Sequence, residues 1–151
     1  MSHFRTAQAS DLPALVHMLA DDPLGAQREN PALPLDPAYV TAFEHIDRDP
    51  NQELVVVEQD QRVIGMLQLT FIPYLTHLGS WRCLIEGVRI HRNHRGQGWG
   101  QQLFHWAFER ARERGCQLVQ LTSDKQRPAA IRFYESLGFV ASHEGFKLRL
   151  A

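Results

Sequence analysis

The stretch Val88-Arg89-Ile90-His91-Arg92-Asn93-His94-Arg95-Gly96-Gln97-Gly98-Trp99-Gly100 decides how the rest of the chain is read. It begins extended and apolar, then turns basic, then places glycine at 96, 98 and 100. No acid occurs from Gly87 through Phe108, while Arg89, Arg92 and Arg95 all fall inside that interval. Residues 98–114 follow with Leu103, Phe104, Ala107, Phe108 and Ala111 at three- and four-residue spacing, the period of one helix face. Glycines before a helix let the backbone approach an oxyanion, and the unpaired N–H groups of the first turn favour phosphate. The physical expectation is a diphosphate site at a strand-to-helix turn. A P-loop is excluded, because no Gly-Lys-Ser/Thr follows the glycines. A dinucleotide fingerprint fits poorly, because the spacing is Gly-x-Gly-x-Gly and five residues separate it from Ile90.

Outward from this stretch, residues 83–90 read as a strand and 118–122 as a short, nearly continuous apolar strand of the buried parallel kind. With the helix between them they form a parallel βαβ unit. Arg110, Arg112 and Arg114 lie near the end of that helix, where they suit the dipole, and Gly115 stops it. Upstream, residues 53–59 are β-branched, and Asp60-Gln61 turns them into a second strand over 62–72. Ser10 and Asp11 cap a helix over about 11–20, and Pro37 opens one to about residue 46. The Pro-rich patch 23–37 reads as a loop. Pro128 opens a last helix that Gly138 ends, and Val140 and residues 146–150 read as closing strands. The order β α α β β β α β α β β gives a mixed-sheet α/β or α+β domain.

Two motifs together carry a resemblance. Arg95-x-x-Gly98-x-Gly100, after Glu86-Gly87-Val88-Arg89-Ile90, resembles motif A of the GNAT superfamily of acyl-CoA-dependent N-acetyltransferases. Ala130-Ile131-Arg132-Phe133-Tyr134-Glu135-Ser136-Leu137-Gly138-Phe139 is similar to motif B of that family. The resemblance covers nearly the whole chain and implies a single acetyltransferase domain over 1–151. Its fold would be a mixed, mostly antiparallel sheet with a parallel splayed strand pair, flanked by about four helices. It implies acetyl-CoA as co-substrate, with the backbone of Val88, Arg89 and Ile90 along the pantetheine arm. Arg95, Gly96, Gln97, Gly98, Gly100 and Gln101 would hold the pyrophosphate. Tyr134 matches the tyrosine that protonates the leaving sulfur; the alternative is a half-buried core aromatic. Arg127 stands where the family often has asparagine, so a phosphate contact would replace the usual hydrogen bond to the cofactor arm.

An amine must lose a proton before it attacks a carbonyl. Glu86 is the only acid between Arg62 and Glu109, and it lies on the strand that leads to the cofactor stretch. That makes it the candidate base, the alternative being a carboxylate ion-paired with Arg82 or Arg89. Phe71, Tyr74, His77 and Trp81 lie between two strands, where Phe71, Tyr74 and Trp81 either line the acceptor pocket or fold onto the core or a dimer partner. Cys83 and Cys116 have no His/Asp partner arrangement, so packing is favoured over an acyl-enzyme, and two cysteines suit a reducing cytoplasm. His91 and His94 lack further ligands nearby, so no metal is expected.

Net charge is −1 over 151 residues, which argues against a nucleic-acid partner. No apolar run reaches membrane-span length and no apolar leader opens the chain. The balance conceals a split: residues 1–60 carry eleven acids and three arginines, a net of −8, and residues 61–151 carry thirteen bases and six acids, a net of +7. The acidic half suggests that Asp21, Asp22 or Glu29 draws a cationic amine. The expectation is direct acetyl transfer to a small-molecule amine, with a homodimer allowed. A protein lysine or N-terminal acetyltransferase and a non-catalytic acyl-CoA-binding regulatory module are the alternatives.

Overall fold

A computed structural model describes residues 2–151. Contacts divide the chain into two units, Met1–Gln120 and Leu121–Ala151. In the first, β1 (Ser2–Thr6), β2 (Gln52–Gln59), β3 (Arg62–Pro73), β4 (Trp81–Ile90) and β5 (Cys116–Gln120) form one sheet in that order. The first three pairings are antiparallel and β4–β5 is parallel, as the resemblance implies. Asp60 and Gln61 both take positive φ, the twist a tight hairpin needs, and this sets the β2–β3 register.

Between β1 and β2 lie α1 (Leu12–Ala20), α2 (Pro23–Arg28) and α3 (Pro37–Arg48). The patch read as a loop therefore contains a helix. Asp22 caps it, accepting a 2.7 Å bond from the Gly25 amide, and Pro23 starts it. A single turn, α4 (Thr76–Gly79), links β3 to β4, and α5 (Trp99–Glu113) links β4 to β5. Six helices occur among the described residues where about four were expected, α2 and α4 being the additions.

Both faces of the sheet are covered. Leu54, Val56 and Met66 pack with Leu12, Leu15, Met18 and Phe43 from α1 and α3. On α5, Leu103, Phe104 and Ala107 are fully buried where the helix lies against β3, β4 and β5. Two covered faces explain why residues 54–57 are buried without alternation. Burying a leucine or phenylalanine side chain contributes roughly 1.5–3 kcal/mol. Glu53 anchors the end of α5: Arg110 chelates it through Nε at 2.9 and 3.0 Å, and Arg114 reaches it at 3.4 Å.

In the second unit, α6 (Pro128–Ser136) follows a turn. Gly138, at φ +99°, ends it, and the Phe139 amide bonds back to the Tyr134 carbonyl at 3.1 Å. Val140 and residues 146–150, expected as closing strands, are not strands: no ladder partner pairs with them among the described residues. β5 itself begins and ends two residues earlier than expected.

Candidate active site

The site begins with an irregularity in β4. Met66 pairs with Arg89 and Gln68 with Glu86, so β4 has one residue more than β3 between these pairs. The extra residue is absorbed at Gly87, whose φ is +63°. A Cβ at Gly87 would lie 3.8 Å from the Leu19 side chain, so α1 ends over the bulge. On its other side β4 pairs with β5 only from Trp81 to Leu84. The two parallel strands then part, and residues 85–90 have no β5 partner. On that side the segment has no strand neighbour in β5, which leaves an edge that an extended ligand can pair with, although the Val88 and Ile90 carbonyls accept from the Arg89 and Arg95 side chains.

Beyond Ile90 the chain makes one 3₁₀ turn, Arg92–His94, and enters the glycine stretch. Gly96 and Gly98 take φ +75° and +86°, and a Cβ at either would meet nothing within 4 Å. Both thus border open space. Among the described residues no side chain caps α5, and its first turn holds no acid. Its leading N–H groups have no intrahelical partner by geometry, so a 15-residue helix points an uncompensated positive end at this cradle. Trp99 is buried and packs inward. Gly100 and Gln101 lie in that first turn. These features fit the diphosphate of CoA: an open glycine turn, an uncapped helix start and flanking arginines.

The arginines have partners that the sequence did not reveal. Arg92 chelates Asp21, its Nε lying 3.0 Å from Oδ2. Arg95 reaches the same carboxylate at 3.6 Å and bonds the Ile90 carbonyl at 3.2 Å. The Arg92 guanidinium holds the Asp21 carboxyl below the usual carboxylate range. Arg89 lies 3.2 Å from Asp22 and bonds the Val88 carbonyl at 2.8 Å. Glu29 is held by Arg28 at 2.7 Å and by the Tyr39 hydroxyl at 2.9 Å. The three acids proposed to draw a cationic amine are therefore engaged within the protein. An Asp-Asp-Pro at a helix end gives no hint of partners 71 residues away.

Glu86 is exposed. The register sets it beside Gln68 and Gln68 beside Leu54, so it stands on the α1 and α3 side of the sheet. Neither arginine proposed as its ion-pair partner holds it. Arg82 stacks on the Tyr74 ring at 4.2 Å and bonds Gln120 at 3.1 Å, and Arg89 turns to Asp22. A polar strip adjoins Glu86: the Gln52 side-chain oxygen accepts from Gln68 at 2.8 Å and from Thr70 at 3.0 Å. Trp81 and Tyr74 are half-buried at the start of β4 and the preceding turn. Phe71 is 1% exposed beneath the Arg114 guanidinium, 4.1 Å from its ring centre, so it can support a pocket wall only from behind.

Tyr134 and Arg127 belong to the second unit. Arg127 caps α6 through its backbone, its carbonyl accepting from Ala130 and Ile131 at 3.1 and 3.2 Å. Tyr134 is half-buried, with Phe133 and Phe139 at 5.9 and 6.1 Å. Burial pushes the Cys83 thiol up to about 12 and raises Cys116 as well. A thiol so placed stays neutral and is a poor nucleophile.

Residues 14–139 match the acetyltransferase (GNAT) family. The chain belongs to the GNAT family. A relative from Salmonella typhimurium (strain LT2), an aminoalkylphosphonate N-acetyltransferase, is 35% identical over 98 residues, 65% of this chain and 63% of its own length. A crystal structure from Bacillus halodurans C-125, described as a transcriptional regulator, is 57% identical with TM-score 0.96, covering 99% of this chain and all of its own. An acetyltransferase from Trypanosoma brucei is 27% identical with TM-score 0.79, over 99% of this chain and 100% of its own. The bulged β4, its parting from β5 and the glycine turn are the parts of this GNAT chain that its first motif occupies.

Proposed function

We propose that this GNAT acetyltransferase moves an acetyl group from acetyl-CoA to a primary amine of a small molecule by direct transfer. The observation that supports it best is two neighbouring features: the β4 segment 85–90 that β5 leaves unpaired, and the uncapped glycine turn that follows it before α5. Acetyl-CoA supplies the acyl group as a thioester. Val88, Arg89 and Ile90 offer backbone groups to the pantetheine arm. The amides of residues 96–101 hold the diphosphate, and the side chains of Arg95 and Arg127 assist.

Glu86 accepts the proton that the ammonium form of the acceptor must lose. Its exposure and freedom from Arg82 and Arg89 support this role. A backbone N–H at the bulge beside Val88 polarises the acyl carbonyl. The Tyr134 phenol donates a proton to the departing sulfur. Trp81 and Tyr74 shape the acceptor side, with Phe71 behind them. The Salmonella relative makes aminoalkylphosphonates the first acceptors to try.

A second reading, a non-catalytic acyl-CoA-binding regulator, is favoured by the description of the Bacillus halodurans relative. Free thiol release over a panel of amines, an aminoalkylphosphonate and peptides separates the two. Turnover on a small amine, lowered about 100-fold in Glu86→Gln with loss of the acidic limb of the pH profile, is the expected result. Tight CoA binding without turnover on any acceptor would establish the regulator instead.

A further inference from the structure

Arg82 shares a sheet face with Glu86. The register sets Ile72 beside Arg82, Thr70 beside Leu84 and Gln68 beside Glu86, so all three β4 positions stand on the α1 and α3 side. Arg82 is half-buried there. Its guanidinium lies over the Tyr74 ring, and Nη1 donates to the Gln120 side-chain oxygen at 3.1 Å. An arginine has five N–H groups, and this is the one hydrogen bond they make among the described residues. Nε is closed off from water and has no acceptor. Arg89, Arg92, Arg95, Arg110 and Arg114 each meet a carboxylate, and Arg82 meets none among the described residues. A half-buried cation held only by a neutral amide and a ring face is costly for the fold alone. The same arrangement suits an oxyanion that arrives with a ligand.

Position decides which ligand. Gln120 stands opposite Leu84, so its bond draws the guanidinium along β4 toward Glu86. Arg82 and Glu86 are four residues apart, roughly 13 Å of strand. The glycine turn begins beyond Ile90, at the other end of β4, and eight residues or roughly 26 Å of strand separate Ile90 from Arg82. A diphosphate at that turn is therefore not the anion that Arg82 meets.

We propose that Arg82 is the anion subsite of the acceptor: the small amine carries an acidic group, phosphonate or carboxylate, which seats on the guanidinium while the amine faces Glu86. This rests on the acceptor site proposed above and narrows its substrate class. Tyr74 and Gln120 are positioning residues, the ring holding the guanidinium plane and the amide its lean. Being half-buried, the pair is screened by salt less than pairs at the surface.

Three acceptors of similar length test this with the full chain and acetyl-CoA: aminoethylphosphonate, β-alanine and propylamine. The wild type is expected to favour at least one acidic amine over propylamine by about tenfold or more in kcat/KM. No such preference overturns the proposal, and the better acid tells phosphonate from carboxylate. In Arg82→Gln, kcat/KM for the favoured acidic amine should fall about tenfold further than that for propylamine, chiefly through the acceptor KM. An equal loss on all three acceptors assigns Arg82 to the fold and rejects the subsite. If circular dichroism shows that Arg82→Gln does not fold, Arg82→Lys takes its place. It keeps the charge without the planar fork, and the same split is expected at smaller size. Propylphosphonate and butyrate lack the amine and give a readout that needs no turnover. Calorimetry on CoA-saturated protein should show binding of one of them that Arg82→Gln weakens about tenfold. If no amine is acetylated, the transfer reading fails and this binding alone decides the subsite: equal binding to both proteins, or none to either, overturns it.

Discussion

A methyl group at Gly25 would stand 2.0 Å from the Leu19 carbonyl oxygen. The contact is with backbone, so no side chain can turn aside to relieve it. It fixes how closely α2 follows α1, and α2 in turn holds Asp22 with one oxygen on the Gly25 amide and the other beside Arg89. Gly25→Ala is therefore expected to cost about 1–3 kcal/mol by overpacking, seen as a fall in Tm, and to weaken CoA binding through Asp22 and Arg89. Unchanged Tm would mean that α2 shifts freely. This glycine was unreadable in the sequence. Between Pro23 and Pro37 it reads as one more helix breaker, and its reason is a contact made only in the fold. Glu86 stands out in the sequence as an acid alone in a long stretch without others, and its role as base remains the proposal made above.

The elements legible in the sequence are those whose cause is local. The face of α5, the turn at Asp60-Gln61 and the stop at Gly138 follow from period and backbone preference within a few residues. The bulge at Gly87 and the parting of β4 from β5 depend on register between strands, which composition does not carry. The glycine turn spans both kinds: its residues announce it, but the open space beside Gly96 and Gly98 belongs to the fold. Gly98→Glu places a negative charge and a strained φ at the positive end of α5. CoA affinity by calorimetry should fall at least tenfold with the fold kept by circular dichroism; unchanged affinity would remove the diphosphate from this turn. A second element, the corner from β1 to α1, rests on Asp11. Its carboxylate accepts from Arg5 at 2.8 and 2.9 Å and from the Gln8 amide at 2.7 Å. Arg5 chiefly holds the Asp11 carboxyl below its ordinary value, against the opposing effect of burial. A depressed carboxylate stabilises the fold above its unfolded pKa, and the contribution is lost as pH falls through the folded value. Asp11→Asn should thus lower stability by about 1.5–3 kcal/mol at neutral pH. The Tm gap to wild type should stay constant down to about pH 5 and close below about pH 4. A gap independent of pH would assign the loss to packing.

At the scale of the molecule, the split between a −8 half and a +7 half is not two free electrostatic surfaces. Arg92 and Arg95 meet Asp21, Arg89 meets Asp22, and Arg110 and Arg114 meet Glu53. Each pair joins one half to the other, so much of the opposite charge is neutralised where the folded halves touch. The sequence shows the imbalance but not this, because pairing across 57–74 residues is a property of the fold. The acids at the end of α1 are then poor attractors for a cationic acceptor. Exposed pairs such as Asp21 with Arg92 add little to stability, and salt screens them. What they do is set which charges remain for ligands. A dianionic diphosphate must compete with Asp21 for two arginines, while a cationic amine meets carboxylates already paired. Raising salt from about 50 to 500 mM should consequently raise the acetyl-CoA KM severalfold, since phosphate contacts with arginine and a helix end are screened. The acceptor KM should change less than about twofold over the same range. A steep rise in acceptor KM would instead show that the acidic half keeps free charge at the acceptor side, and that Asp21 and Asp22 release their arginines when the site is filled.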